Sequence, residues 1–262
     1  MLHVEDAERV RLVILDRPDA RNALDTEHYH ALADALEDAA VRSDVAVVLI
    51  TGVGAAFCAG QDLAEMGRLG DPGDATAVER GAHGFTRFVG SLEAFPKPLM
   101  AAVNGVAVGL GVTMLPYCDV VLIAETARLR TPFASLGVVP EAGSSFTLPT
   151  AMGWQGAAYA LLTGAWIDAA TAKATGLAWR TCAPDQLLEE ALSTARTMAR
   201  LPIVSLVETK RLLRTGWTGA ARSARAREEE VFARLTGAPA NREAIAAFFE
   251  KREPDFVHLP PD

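Results

Sequence analysis

The chain has 262 residues, 50% hydrophobic and 22% charged, with a formal net charge of −8. That length supports a full core without staples, and that composition excludes a mainly disordered chain. The acidic balance argues against a nucleic-acid binder, which carries a basic face. The cysteines are Cys58, Cys118 and Cys182, odd in number and with no CxxC pair. Neither a disulfide framework nor a zinc site is expected, and a reducing compartment fits. No apolar run reaches about 18 residues, so no membrane span is expected. The opening residues MLHVEDAERV lack the apolar core of a signal peptide, and the closing Pro-Pro-Asp is not a peroxisomal address. The expected location is cytoplasmic.

In chain order, Val10 to Leu15 alternates and is β-branched, which predicts a strand ending at Arg17-Pro18-Asp19-Ala20. Asp25 is placed to cap a helix that carries Leu32 and Leu36 at helical spacing, with His28 where a capping box would need Glu. Val45 to Thr51 reads as a strand buried on both faces. Gly67 to Asp74 reads as a loop, and a helix is expected from about Ala77 to Ala94. Leu99 to Val103 and Val120 to Ala124 are further buried strands, with a short helix starting near Gly109. From Ser144 onward the pattern is almost wholly helical. Strands alternating with helices predict an α/β fold. Residues 1–200 read as the core and 201–262 as a helical unit. Within the latter, Ala220 to Glu230 (AARSARAREEE) mixes both signs at helical spacing and reads as a solvated face.

Two glycine-containing turns follow buried strands, Cys58-Ala59-Gly60-Gln61-Asp62 and Asn104-Gly105 through Gly109-Leu110-Gly111. Neither fits a phosphate-cradling P-loop or a dinucleotide fingerprint. Such turns can supply free backbone N–H groups at a helix start, and two converging on one point form an oxyanion hole. They can equally be tight turns and nothing more. Pro140-Glu141 predicts a helix start with Glu141 in its first turn, where the helix dipole favours the ionised carboxylate and burial opposes it. A surface capping carboxylate is the plainer reading. His28 and His30 point to different helix faces and make a poor metal pair, and His83 reads as structural or exposed. Asp62 reads as a helix cap, Cys58 as a small buried residue, and Met66 and Phe85 as core.

Taken together, these segments resemble the crotonase (enoyl-CoA hydratase/isomerase) superfamily. The residues that carry the resemblance are Arg17-Pro18-Asp19-Ala20-Arg21-Asn22-Ala23-Leu24, Phe57-Cys58-Ala59-Gly60-Gln61-Asp62-Leu63, and Lys97-Pro98 before Asn104-Gly105. Cys118-Asp119 and Phe248-Phe249-Glu250-Lys251-Arg252 extend it to the C-terminal region. Each motif is weak alone; their order and spacing make the signal. The resemblance implies a spiral of ββα units, a helical C-terminal trimerisation region and an acyl-CoA thioester ligand. It implies a homotrimer or a dimer of trimers; the acidic charge and the lack of a long apolar run, rather than the resemblance, argue against nucleic-acid and membrane partners. It places the thioester oxygen on the backbone amides of Gln61 and Leu110. It sets Ala59, Gly60, Asp62 and Leu63 along the CoA pantetheine, Arg21 and Ala23 near the adenosine end, and Phe248 and Lys251 towards a neighbour's CoA.

The resemblance also carries departures. Hydratases of the family use two glutamates to hold one water, and those positions fall at Thr113 and Phe133 here. Neither can act as a general base. The segments Thr131 to Ser145 and Ala107 to Leu115 are instead similar to the peroxisomal-type Δ3,Δ2-enoyl-CoA isomerases, whose catalytic base falls at Glu141. That implies an isomerase needing no cofactor, the CoA thioester being the substrate. A hydratase-like enzyme of other specificity and a non-catalytic acyl-CoA binder stand as alternatives.

Overall fold

The computed structural model describes residues 1–62, 65 and 75–259, with side chains of the 75–94 helix given from residue 83 onward. Leu63, Met66 and the Gly67 to Asp74 loop therefore lie outside the described residues.

The chain opens with a hairpin, β1 (Leu2–Ala7) and β2 (Val10–Leu15), turned by Glu8 and Arg9 at φ 50° and 66°. β1 has no counterpart in the sequence reading. Its outward face is polar and almost wholly exposed, so no buried run marks it. Helix α1 (Thr26–Val41) follows, capped by the Asp25 carboxylate, which accepts the His28 amide. Then come β3 (Val47–Gly52), β4 (Ala56–Cys58), α2 (Ala75–Ala94), β5 (Leu99–Val103), β6 (Val106–Val108) and the short helix α3 (Leu110–Thr113). β7 (Val120–Ala124) and β8 (Arg128–Arg130) lead to α4 (Ser144–Thr163), which is kinked at Gly153. β9 (Ile167–Asp168), α5 (Ala169–Thr175) and β10 (Arg180–Cys182) precede four C-terminal helices. These are α6 (Leu187–Ala199), α7 (Ile203–Leu213), α8 (Trp217–Leu235) and α9 (Pro239–Glu250).

Among the described residues the strands form two sheets. One runs β1-β2-β3-β5-β7-β10, parallel except for the β1–β2 hairpin; the other runs β4-β6-β8-β9, parallel except for β8–β9. Successive strand pairs, β3 with β4, β5 with β6 and β7 with β8, each put one strand in the first sheet and the next in the second. That alternation is a spiral of ββα units, the architecture the sequence implies. β3 and β5 are buried on both faces, as their continuous apolar runs predict. The short β4, β6 and β8 carry too few residues for any periodicity to reveal them.

The C-terminal helices are tied to this core through buried charge. Lys97 is 3% exposed, and its Nζ donates to the carbonyls of Ala39, Arg42 and Val45 at 2.6, 2.5 and 2.8 Å. Lys210, on α7, donates to the Lys97 carbonyl at 2.7 Å and pairs with Asp119 at 2.7 Å. Asp119 also accepts the Leu99 amide, so one carboxylate joins β5 to α7. Arg214 reaches the Tyr117 carbonyl from the same helix. Removing one partner of such a pair leaves an uncompensated charge. Lys210→Ala is expected to cost about 2–4 kcal/mol of stability, read by urea denaturation. A loss below about 0.5 kcal/mol would show that the pair does not fasten α7.

Candidate active site

The site is built where β4 and β6 end side by side in parallel. Ligands of α/β sheets gather at such carboxyl ends. Here the glycines do more than turn the chain. A Cβ on Gly111 would lie 2.3 Å from the Cys58 carbonyl oxygen, and one on Gly60 would lie 2.7 Å from that of Val108. The two loops are therefore in backbone contact. Gly60 and Gly109 also hold φ values of 82° and 53°, open to glycine at little cost.

Each loop presents an amide with no hydrogen-bond partner among the described residues. The Leu110 N–H is at the start of α3, where the first amides have no partner within the helix. The Gln61 N–H makes no hydrogen bond among the described residues, although its neighbours do: Gly60 O accepts from Leu24 and the Asp62 amide donates to Leu24 O. The bridge between Leu24 and Gln61, with Ala59 N donating to Arg21 O, lays residues 21–24 along residues 59–62. Arg21, Ala23, Ala59, Gly60, Gln61 and Asp62 thus share one strip. Arg21 is exposed on it and Ala23 is buried. Asp62 pairs with Arg17 at 2.8 Å. Its expected capping of the next segment falls outside the described residues, as does Leu63. Phe248 and Lys251 sit exposed at the far end of α9, where Phe248 packs edge-on against Phe249.

Glu141 meets this strip through α3. Thr113, one turn beyond Leu110 and wholly buried, donates its hydroxyl to Glu141 Oε1 at 2.6 Å. Glu141 Oε2 is buried with no hydrogen-bond partner among the described residues. Burial pushes this carboxyl up to about 8; the Thr113 hydrogen bond opposes the shift and the Glu228 charge adds to it. The group is thus poised to gain and lose a proton near neutral pH, as a general base should be.

Two sequence expectations are corrected here. Glu141 is not in the first turn of a helix. Ala142 and Gly143 take left-handed conformations, φ 55° and 71°, and α4 starts only at Ser144. The helix amides of Gly143 and Ser145 donate to the Glu228 carboxylate at 2.6 and 2.7 Å, so the helix terminus serves Glu228 and not Glu141. Nor is Ala220 to Glu230 a wholly solvated face. Ala221 and Ala224 are fully buried and Glu228 is 6% exposed. The alanines and Glu228 at positions i, i+3 and i+7 were the available signal, masked by the flanking charges.

Other readings of single residues stand as expected. Cys58 is a buried residue beside the turn, where its sulfur accepts the Gly60 amide at 3.4 Å, and His83 is exposed. Phe85 packs edge-on against Tyr29 between α1 and α2. Among the described residues no helix is long and apolar enough to cross a membrane.

A family model described as enoyl-CoA hydratase/isomerase matches residues 5–258. The chain belongs to the enoyl-CoA hydratase/isomerase family. It is 37% identical to a 2,3-dehydroadipyl-CoA hydratase of Escherichia coli K12, over 97% of this chain and 98% of that one. It is 33% identical to human enoyl-CoA delta isomerase 2, over 81% of this chain and 54% of that protein. A solved enoyl-CoA hydratase/isomerase from Pseudoalteromonas atlantica T6c superposes with a TM-score of 0.90 at 38% identity, covering 98% and 99% of the two chains. The crotonase fold, an enzyme of this superfamily and a site suited to acyl-CoA follow from membership.

The raised Glu141 carboxyl has a consequence for stability. Its folded value of about 8 exceeds the unfolded 4.5, so between those limits the native state holds the extra proton. Stability contributed by that protonation is therefore present below about pH 4.5 and lost as pH rises towards 8. Glu141→Gln removes the penalty. The variant is expected to exceed the wild type at pH 8 by a few kcal/mol, with the gap closing towards pH 4.5. Melting temperatures across that range check it; a pH-independent gap would mean Glu141 titrates normally.

Proposed function

We propose that the chain is an enoyl-CoA isomerase that moves a 3-enoyl-CoA double bond into conjugation with the thioester. The observation that carries this reading is the carboxylate beside α3: Glu141, held by Thr113 and left with one buried oxygen that has no hydrogen-bond partner among the described residues. Thr113 and Phe133 occupy the positions where the family resemblance expects the hydratase glutamates.

The chemistry needs one base used twice. Glu141 takes a proton from C2, and the C2–H electrons pass into a dienolate spread over the thioester oxygen, C2 and C4. The Gln61 and Leu110 amides receive the charge that grows on that oxygen. Glu141 then returns its proton to C4, leaving the double bond between C2 and C3. The proton is conserved and no electron is lost, so the step calls for no metal or redox cofactor. One oxyanion donor supplies roughly 10²–10³-fold, and a general base roughly 10²–10⁴-fold.

The substrate lies along the strip from Arg21 and Ala23 to Ala59–Leu63, with the CoA head towards Phe248 and Lys251 of a neighbouring copy. The 201–262 region assembles the chain into a homotrimer or a dimer of trimers. Neither nucleic acid nor membrane is a partner, and the protein works in the cytoplasm.

A second reading, hydration of a 2-enoyl-CoA, is favoured by the 37% identity to the Escherichia coli 2,3-dehydroadipyl-CoA hydratase. A direct assay separates the two. Offered 3-enoyl-CoA thioesters, the protein should produce the conjugated 2-enoyl product; offered the 2-enoyl thioester, it should add no water. Glu141→Gln should keep acyl-CoA affinity and lose about 10²–10⁴-fold in turnover. Hydration by the wild type, or normal turnover by the variant, would reject the isomerase reading.

A further inference from the structure

The element that aims Glu141 is a two-residue left-handed turn, and its Ala142 carbonyl and Gly143 amide are both held by side chains from outside it. Tyr117, buried after α3, donates its hydroxyl to the Ala142 carbonyl at 2.6 Å. Glu228 Oε2 accepts the Gly143 amide at 2.6 Å, and Oε1 accepts the Ser145 amide at 2.7 Å. The backbone of α8 presses on the same turn: a Cβ on Gly143 would lie 2.9 Å from the Ala221 carbonyl and 3.1 Å from the Tyr117 hydroxyl. The clamp thus comes from a C-terminal helix more than 80 residues away in sequence.

A helix N-terminus could be capped by a serine or asparagine of its own. Here the N-cap is Gly143, which offers no side chain, and the cap is imported as a full carboxylate. That choice puts a second negative charge near Glu141, at an electrostatic cost to the ionised base.

We propose that Glu228 is a positioning residue for Glu141, fixing the 142–145 turn through two amides and setting, through its charge, the pH at which Glu141 becomes a base. The proposal rests on Glu141 being the proton-transferring group of the proposed reaction. The groups that face Glu141 are Thr113 on α3, Cys58 on β4, Tyr29 on α1, Tyr117 after α3 and Glu228 on α8. Those around the Glu228 side are Tyr117, Arg225 on α8 itself and Glu93 on α2, which pairs with Arg225 at 3.1 Å. Glu228 adds its charge within hydrogen-bond reach of the turn that carries Glu141.

The test is a titration that needs no turnover. The Glu141 carboxyl is followed by isotope-edited infrared or ¹³C NMR in ligand-free protein, with Glu141→Gln to assign the signal. Glu228→Gln keeps shape and one acceptor but loses the charge, and should move the Glu141 midpoint down by about half to one pH unit. Glu228→Asp keeps the charge and withdraws it by one methylene. It should leave the midpoint near the wild-type value while kcat falls about tenfold or more at unchanged KM, because the base is misaligned. An unmoved midpoint in Glu228→Gln, or full kcat in Glu228→Asp, overturns the proposal and leaves Glu228 as a helix cap alone. If Glu228→Gln does not fold, the Glu228→Asp kcat decides. If the wild type turns over no 3-enoyl-CoA, the isomerase reading fails, and the infrared arm still decides whether Glu228 sets Glu141.

Discussion

The approach of two backbone loops governs the rest of the site. β4 and β6 are only three residues long each, yet their pairing brings Cys58 and Val108 carbonyls against Gly111 and Gly60. No side chain larger than hydrogen fits at either contact. What results is a pair of amides, Gln61 and Leu110, presented from adjacent segments of rigid backbone. Backbone donors cost no rotamer entropy to order, which is why an oxyanion site built from them is ready before substrate arrives. Two asparagines keep the loops in register. Asn22 Nδ2 donates to Val53 and Ala56 carbonyls, and Asn104 accepts the Gly52 amide while donating to Gly54 and Ala56. Without these, the loop after β3 would be free to drift and the contact beneath it would loosen.

On this frame the carboxylate is held against its own electrostatics. A buried acceptor without a partner costs about 1–3 kcal/mol, and among the described residues Glu141 Oε2 has none. A second carboxylate, Glu228, approaches through the turn that carries it. The compensations are local and strong: a short bond from Thr113, the Tyr117 hydroxyl on the turn, and two amide bonds to a charged oxygen pair. Strain of this kind persists only where the surroundings over-determine it. The paired left-handed residues Ala142 and Gly143, enclosed by α8, meet that condition.

What could be read in advance divides along physical lines. β2, β5 and β7 were legible to the residue: β2 from its alternation and β-branching, β5 and β7 because continuous apolar runs in a parallel sheet need no context. The Asp25 cap was legible because its chemistry is local. Glu141 was legible as a candidate but misplaced, since proline before a glutamate predicts a helix start and nothing in Glu-Ala-Gly announces two left-handed residues. The burial of Glu228 had a local signal in its spacing from Ala221 and Ala224, but its partners had none. Its role depends on α8 crossing the core to meet residues 143 and 145, a long-range contact no local pattern encodes. The small strands of the second sheet failed for a related reason: they exist through pairing, not through propensity.

Adding water to an enoyl thioester needs space for the water and two groups to hold it. At the second of the positions implied for those groups stands Phe133, 6% exposed and therefore packed, and at the first a threonine whose hydroxyl is committed to Glu141. A double-bond shift asks for less. The same carboxyl accepts and returns one proton, and water is best kept away so that the proton is not exchanged or the dienolate quenched. For that task the ideal base has a proton affinity close to that of its surroundings' pH, because it must release what it takes. In the proposed shift, a carboxyl lifted by burial to about 8 holds the proton taken from carbon more firmly than one left near 4.5. The burial that penalises the ionised Glu141 would, on that proposal, also raise its basicity, and the turn that carries it is fixed from α8 by Glu228.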